Sequence, residues 1–138
     1  MTNKPVVLCV DDAVSILEGR KMLLEAAGYR VLTAVNGKEA VKVFMSSSVD
    51  LVLLDYHLPE MNGSAAAARM RDTKPDVPIA ILSGDECLPP GDLETADCFI
   101  SKSEPIVSFL EKVEYLVSLR FLFKPLDALI ARKSRKAA

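Results

Sequence analysis

The run Leu51-Val52-Leu53-Leu54-Asp55-Tyr56-His57-Leu58-Pro59-Glu60-Met61-Asn62-Gly63 decides how the rest of the chain is read. Four successive aliphatic residues without polar alternation describe a strand covered on both faces, the habit of parallel sheets. An acid closes the run, and Pro59 and Gly63 mark a loop after it. Three further runs share this character: Pro5 to Val10, Val77 to Leu82 and Cys98 to Ile100. A fifth, Tyr29 to Ala34, carries Arg30 and Thr33, as an edge strand would.

Between the strands the period turns helical. Ile16, Leu17, Leu23, Leu24 and Ala27 fall on one predicted helical face, and Gly28 stands where a C-terminal stop belongs. Asn36 is placed to cap the next helix, with Glu39 three residues on in capping-box position; Ala40, Val41 and Phe44 supply its inner face. Ser64 to Met70 is rich in alanine, which favours a closely packed helix. The last helix shows the clearest period, through Ile106, Phe109, Leu110, Val113, Leu116 and Val117. Ser103 is its expected cap, and Pro105 is tolerated in its first turn. Pro89, Pro90 and Gly91 interrupt Gly84 to Asp97, so any helix there is short or broken.

Alternating strands and helices predict an α/β fold of the (βα)5 kind, doubly wound, with a five-stranded parallel sheet in the middle of three α/β/α layers. The 138 residues amount to about one domain. We divide them into residues 1–120, the domain proper, and 121–138, a C-terminal extension. In that extension Leu126, Leu129 and Ile130 can line a short helix ahead of a basic tail, Arg132 to Lys136. A net charge of −2 argues against a nucleic-acid partner. Three cysteines, Cys9, Cys87 and Cys98, lack metal-ligand spacing and fit a reducing compartment. No run approaches the length of a membrane span, and the N-terminus lacks the apolar stretch of a secretory signal. A soluble, cytoplasmic protein without stable membrane insertion is the expectation.

Ligands of open parallel sheets sit at the carboxyl ends of the strands. Read in turn, those ends offer Asp11 and Asp12, then Asp55, Ser83 and Lys102. Each alone has a plain reading as a helix cap, a turn residue or a solvated charge. Together they make a site. Carboxylates gathered within a few ångströms repel by roughly 4 kcal/mol per close pair at an effective dielectric near 20. They therefore require a cation, or protons and raised pKa values. An all-oxygen set suits Mg²⁺, whereas zinc would want Cys or His, and His57 is the only histidine. Lys102 brings a point charge for phosphoryl oxygens and Ser83 a hydroxyl donor. A carboxylate nucleophile, a metal and a lysine are the parts of phosphoryl transfer.

Val6 to Asp12, Asp50 to Gly63, Ile81 to Gly84 and Phe99 to Lys102 resemble the receiver domains of bacterial response regulators, over residues 5 to about 120. The resemblance implies a flavodoxin-like strand order, 2-1-3-4-5, and assigns roles. Asp55 would be the phosphoacceptor. Asp12 would ligate Mg²⁺ directly, Asp11 through water, and the backbone carbonyl of His57 would add a ligand. Lys102 would contact the phosphoryl group, and Ser83 and Phe99 would act as the switch pair. The donor would be a sensor histidine kinase or a histidine phosphotransfer protein, and the output a downstream protein target. Autodephosphorylation is implied as well. The His57 side chain is expected to point to solvent at the site mouth, with tuning of the hydrolysis rate as the alternative.

One departure stands out. The family carries Lys-Pro with a cis bond at the fifth strand end, and here Ser103 follows Lys102. A cis bond before a non-proline residue costs about 3–4 kcal/mol, against under about 1 before proline, so the sequence leaves open whether Lys102–Ser103 is cis or trans, and with it the exact placement of Lys102. We therefore weigh a stand-alone phosphoacceptor against two rivals. One is a receiver fold serving as a constitutive interaction module with weak or no phosphorylation. The other is an aspartyl-phosphate phosphohydrolase, disfavoured because His57 stands where it would want a second acid.

Overall fold

Five short strands pair in parallel in the computed structural model, which describes residues 4–84 and 90–137. They are β1 (Val6–Val10), β2 (Arg30–Ala34), β3 (Leu51–Asp55), β4 (Ile79–Ser83) and β5 (Cys98–Ser101), in the order β2-β1-β3-β4-β5. Helices α1 (Val14–Ala26), α2 (Gly37–Ser46), α3 (Gly63–Thr73), α4 (Pro90–Leu93) and α5 (Ile106–Ala137) connect and follow them. The strand order and the three-layer α/β fold are those expected.

The apolar runs work because successive side chains leave opposite faces of a strand. Leu8, Val10, Val52, Leu54, Ile79 and Ile81 point to one side, where Ala40 and Phe44 of α2 and Ala66, Ala67 and Met70 of α3 cover them. Val7, Cys9, Leu51, Leu53, Ala80 and Leu82 point to the other, against Leu17 and Leu24 of α1 and Phe109, Val113, Leu116 and Val117 of α5. Every residue of β3 and β4 is buried. Each large aliphatic side chain so covered contributes about 1.5–3 kcal/mol before the entropy of ordering is charged.

Helix ends follow the sequence signals in two cases and depart in one. Gly28, at φ 102°, stops α1: its N–H bonds to Glu25 O and the Tyr29 N–H to Leu24 O, a complete Schellman motif. The Asn36 side chain accepts from Glu39 N at 2.7 Å and caps α2. Ser103 does not cap α5. Its hydroxyl pairs with Ser101 Oγ at 2.9 Å, and the first bond of α5 runs from Phe109 N to Pro105 O.

The inner face of α1 is also narrower than its apolar residues suggest. Leu17 and Leu24 are buried, but Ile16 is 50% exposed and Ala27 lies in the exposed last turn. The helix rotates so that Leu17, Arg20 and Leu24, at i, i+3 and i+7, face the sheet. Helix α4 is one turn long, in keeping with the Pro-Pro-Gly interruption, though residues 85–89 lie outside the described ones. Helix α5 continues without a break past residue 120 to Ala137. No helix among the described residues is long and apolar enough to cross a membrane.

Burial pushes the Cys9 thiol up to about 12. It stays protonated, and hence unreactive, around neutral pH. Peptide mass mapping after thiol alkylation at pH 8 should find Cys9 unmodified in native protein and modified in step with denaturant unfolding. Labelling at the rate of a free thiol without denaturant would contradict this packing.

Candidate functional site

Strand register brings the chemistry to one edge of the sheet. Val10 pairs with Ala34 and Leu54, Asp55 with Leu82, and Ser83 with Ser101, so β1, β3, β4 and β5 end side by side. Three backbone bonds carry the order just past the strands. Asp11 N bonds to Ala34 O at 3.2 Å, Tyr56 N to Leu82 O at 2.9 Å and Lys102 N to Ser83 O at 3.0 Å. The functional side chains thus leave from backbone that the sheet itself fixes.

Asp11, Asp12 and Asp55 each offer a carboxylate oxygen, and these atoms lie within 4.8 Å of one another. Asp11 and Asp55 are buried, at 1% and 2% exposure, while Asp12 is open to solvent. Lys102 Nζ stands 2.9 Å from Asp55 Oδ1 and 3.8 Å from Asp11 Oδ2. The His57 N–H approaches the same Asp55 oxygen at 3.3 Å, and Ala13 N donates to Asp11 Oδ1 at 2.9 Å. Burying two carboxylates so close together is tolerable only with such partners.

The other predicted residues are placed as follows. Ser83 is buried at the end of β4, next to Asp55 in the sheet. Phe99 is half-buried in β5, opposite Ile81, and packs against the core layer beneath α2 and α3. The His57 side chain is exposed and meets the Tyr56 ring edge-on, with centroids 4.9 Å apart. No cis peptide bond occurs among the described residues, so Lys102–Ser103, which the sequence left open, is trans. The lysine reaches Asp55 nonetheless.

An all-oxygen set of three carboxylates, two of them buried, fits a hard divalent ion. Asp11 Oδ2 supports the fit, being buried with no hydrogen-bond partner.

Sequence reading missed two residues. Arg20 reaches the pocket from α1, with Nη1 3.5 Å from Asp11 Oδ2 and a side chain only 12% exposed. Its signal was a charge at i+3 from Leu17, inside the apolar stripe. Gly63 was taken only as part of a motif. A Cβ there would stand 2.5 Å from Asp55 O and 2.9 Å from Tyr56 Cα, both backbone atoms, while Gly63 N bonds to Tyr56 O at 2.8 Å. The first turn of α3 lies directly on the backbone of Asp55. The three residues before Asn62 make the tight reversal that permits this, with Glu60 at φ 65° and Met61 N bonded to Pro59 O at 2.7 Å.

The profile of the response regulator receiver domain family matches residues 7–113. Among curated proteins, the autoinducer 1 sensor kinase/phosphatase LuxN of Vibrio campbellii is 42% identical over 83 residues, 60% of this chain and 10% of that protein. The transcriptional regulatory protein GlrR of Escherichia coli K12 is 32% identical over 113 residues, 81% of this chain and 24% of that protein. The chain thus spans about a tenth and about a quarter of these relatives.

Among solved structures, a CheY-like receiver domain protein from Methanospirillum hungatei superposes with a TM-score of 0.81 at 26% identity, covering 86% of this chain and 97% of that one. The response regulator TrrA from Thermotoga maritima, solved in complex with Mg²⁺ and BeF, gives 0.77 at 35% identity, covering 81% and 98%.

Gly63→Ala should destabilise the fold by about 2–4 kcal/mol, since only backbone could yield to the added methyl. Urea denaturation measures it, and a change under about 0.5 kcal/mol would show that the close approach carries no weight.

Proposed function

We propose, from the premise that this chain belongs to the response regulator receiver domain family, that it accepts a phosphoryl group on Asp55 and signals through protein contact or onward phosphorelay. The observation that carries the reading is the Lys102 ammonium 2.9 Å from Asp55 Oδ1, at a sheet edge shared with Asp11 and Asp12. The family is that of two-component receiver domains, signalling phosphoacceptors rather than classical enzymes.

In this reading an Asp55 carboxylate oxygen forms the new O–P bond as the N–P bond of a phosphohistidine breaks, and the imidazole departs with that electron pair. The product is an acyl phosphate on Asp55. Lys102, on a flexible stem from fixed backbone, follows the charge from the carboxylate to the phosphoryl oxygens. Asp11, Asp12, Asp55 and the His57 carbonyl would hold Mg²⁺, which supplies neutralisation of the transferring charge when bound. The Ser83 hydroxyl, buried one strand away, donates to a phosphoryl oxygen, and Phe99 repacks in response. The exposed His57 ring sets how water reaches the acyl phosphate, and so the rate of its loss.

The donor is a sensor histidine kinase or a histidine phosphotransfer protein, and the target a downstream protein in the cytoplasm. Residues 1–120 act as the receiver. Residues 121–138 act as a C-terminal extension, into which α5 runs on as far as Ala137. The constitutive-module alternative predicts the same fold with an inert Asp55.

Incubation with Mg²⁺ and acetyl phosphate, followed by a phosphate-affinity gel, tests the reading. Wild type should shift, Asp55→Ala should not, and chelation of Mg²⁺ should abolish the shift. Lys102→Ala should slow phosphorylation by about 10²-fold, in line with loss of one preorganised electrostatic group. An unshifted wild type, with acetyl phosphate and with phosphorylated kinase alike, would hand the case to the constitutive module.

A further inference from the structure

We propose that Arg20 is a built-in competitor for divalent metal at Asp11, a positioning residue that weakens Mg²⁺ binding and holds the pocket together before metal arrives. The proposal rests on the metal reading given above.

Arg20 stands on α1 in the stripe that faces the sheet, between Leu17 and Leu24, both buried. Its Nη1 lies 3.5 Å from Asp11 Oδ2. Both atoms are buried, and neither has a hydrogen-bond partner. The pair is thus held by charge and packing rather than by a directed bond. For a guanidinium with five donors, that is a loose engagement. Lys102 Nζ faces the same Asp11 oxygen at 3.8 Å, so the most buried carboxylate of the site sits between two cations.

The charge balance gives this arrangement its consequence. Three carboxylates against Lys102 alone leave a double negative charge, the amount a divalent ion neutralises. Arg20 lowers that to a single negative charge, so a divalent ion gains less by entering. Arg20 also has somewhere to go. Together with Ser101, Lys102 and Glu104 it lines a cavity of about 440 Å³ between α1 and the start of α5. With Nη1 free of any hydrogen bond, the guanidinium can withdraw into that space, toward the Glu104 carboxylate, when metal occupies the pocket.

Isothermal titration of the full chain with MgCl₂ tests this on wild type, Arg20→Gln and Arg20→Lys. Arg20→Gln should bind Mg²⁺ at least about tenfold more tightly, because a unit positive charge a few ångströms from a divalent ion repels it by that much even at the dielectric of water. Arg20→Lys should stay near wild type, because the charge is kept. Binding by Arg20→Gln within twofold of wild type, or weaker, overturns the proposal. Binding by Arg20→Gln alone supports it. If neither protein binds Mg²⁺ at millimolar concentration, the metal reading itself fails and this one falls with it.

Wild-type protein offers a check that needs no variant to fold. The Arg20 Nε–H resonance in ¹⁵N-edited NMR should move and saturate with the Mg²⁺ titration as the guanidinium leaves Asp11. An Arg20 signal that stays still while the Asp11 and Asp12 amides saturate overturns the proposal.

Discussion

The site depends on a single electrostatic arrangement: two carboxylates taken out of water and a third at the surface, their oxygens within 4.8 Å, with Lys102 against both buried ones and Arg20 beside Asp11. Asp11 and Asp55 would be intolerable where they sit if left bare, since an isolated buried charge is far costlier than any apolar contact nearby can offset. Lys102 answers both at once, at 2.9 Å and 3.8 Å. The sheet makes this possible by fixing the backbone from which each side chain departs. The bond from Lys102 N to Ser83 O places the lysine stem beside β4, whatever the peptide bond after it does. This explains how a trans Lys102–Ser103 bond leaves the ammonium in reach of Asp55. The stem has four rotatable carbons, and only its root needs to be exact. Downstream, Ser101 and Ser103 pair with each other, and Glu104 is tied to Ser108 and Lys112. Those hydrogen bonds, Lys112 foremost, hold the Glu104 carboxyl below its usual range. The turn into α5 is therefore organised by side chains where a proline would otherwise dictate its course.

What the sequence revealed follows from which physics is local. Unbroken aliphatic runs such as Leu51 to Leu54 can only be satisfied by cover on both faces, so the parallel sheet was legible from composition along the strand. Its strand order came from resemblance. The candidate site was legible because chemistry at parallel strand ends is forced to one edge, which brings Asp11, Asp55, Ser83 and Lys102 together. Rotation of a helix about its axis is not local. Ile16 and Ala27 shared a face with Leu24 on paper, yet the packing of α1 chose Leu17, Arg20 and Leu24. The Ser103 cap failed for a related reason. A nearer partner, Ser101 Oγ, took its hydroxyl. Gly63 shows a third kind of blindness, since a glycine's necessity lies in what its missing Cβ would strike, here the carbonyl of Asp55 eight residues earlier.

Gly63 and Tyr56 also show how a change at Asp55 is felt elsewhere. The start of α3 rests on the Asp55 and Tyr56 backbone with no side chain between them, and Gly63 N holds Tyr56 O at 2.8 Å. The Tyr56 hydroxyl, on the other side, donates to the Asp92 carboxylate of α4. Helix α4 is a single turn, and that bond ties it to the loop after Asp55. Tyr56 thus holds α3 through its backbone carbonyl and α4 through its hydroxyl. A shift of the β3 end would pull on two helices at once. Packed interiors pass on such small displacements instead of absorbing them. A long fourth helix would have averaged the pull over several turns. In this chain the Tyr56–Asp92 hydrogen bond joins the loop after Asp55 to a helix of one turn.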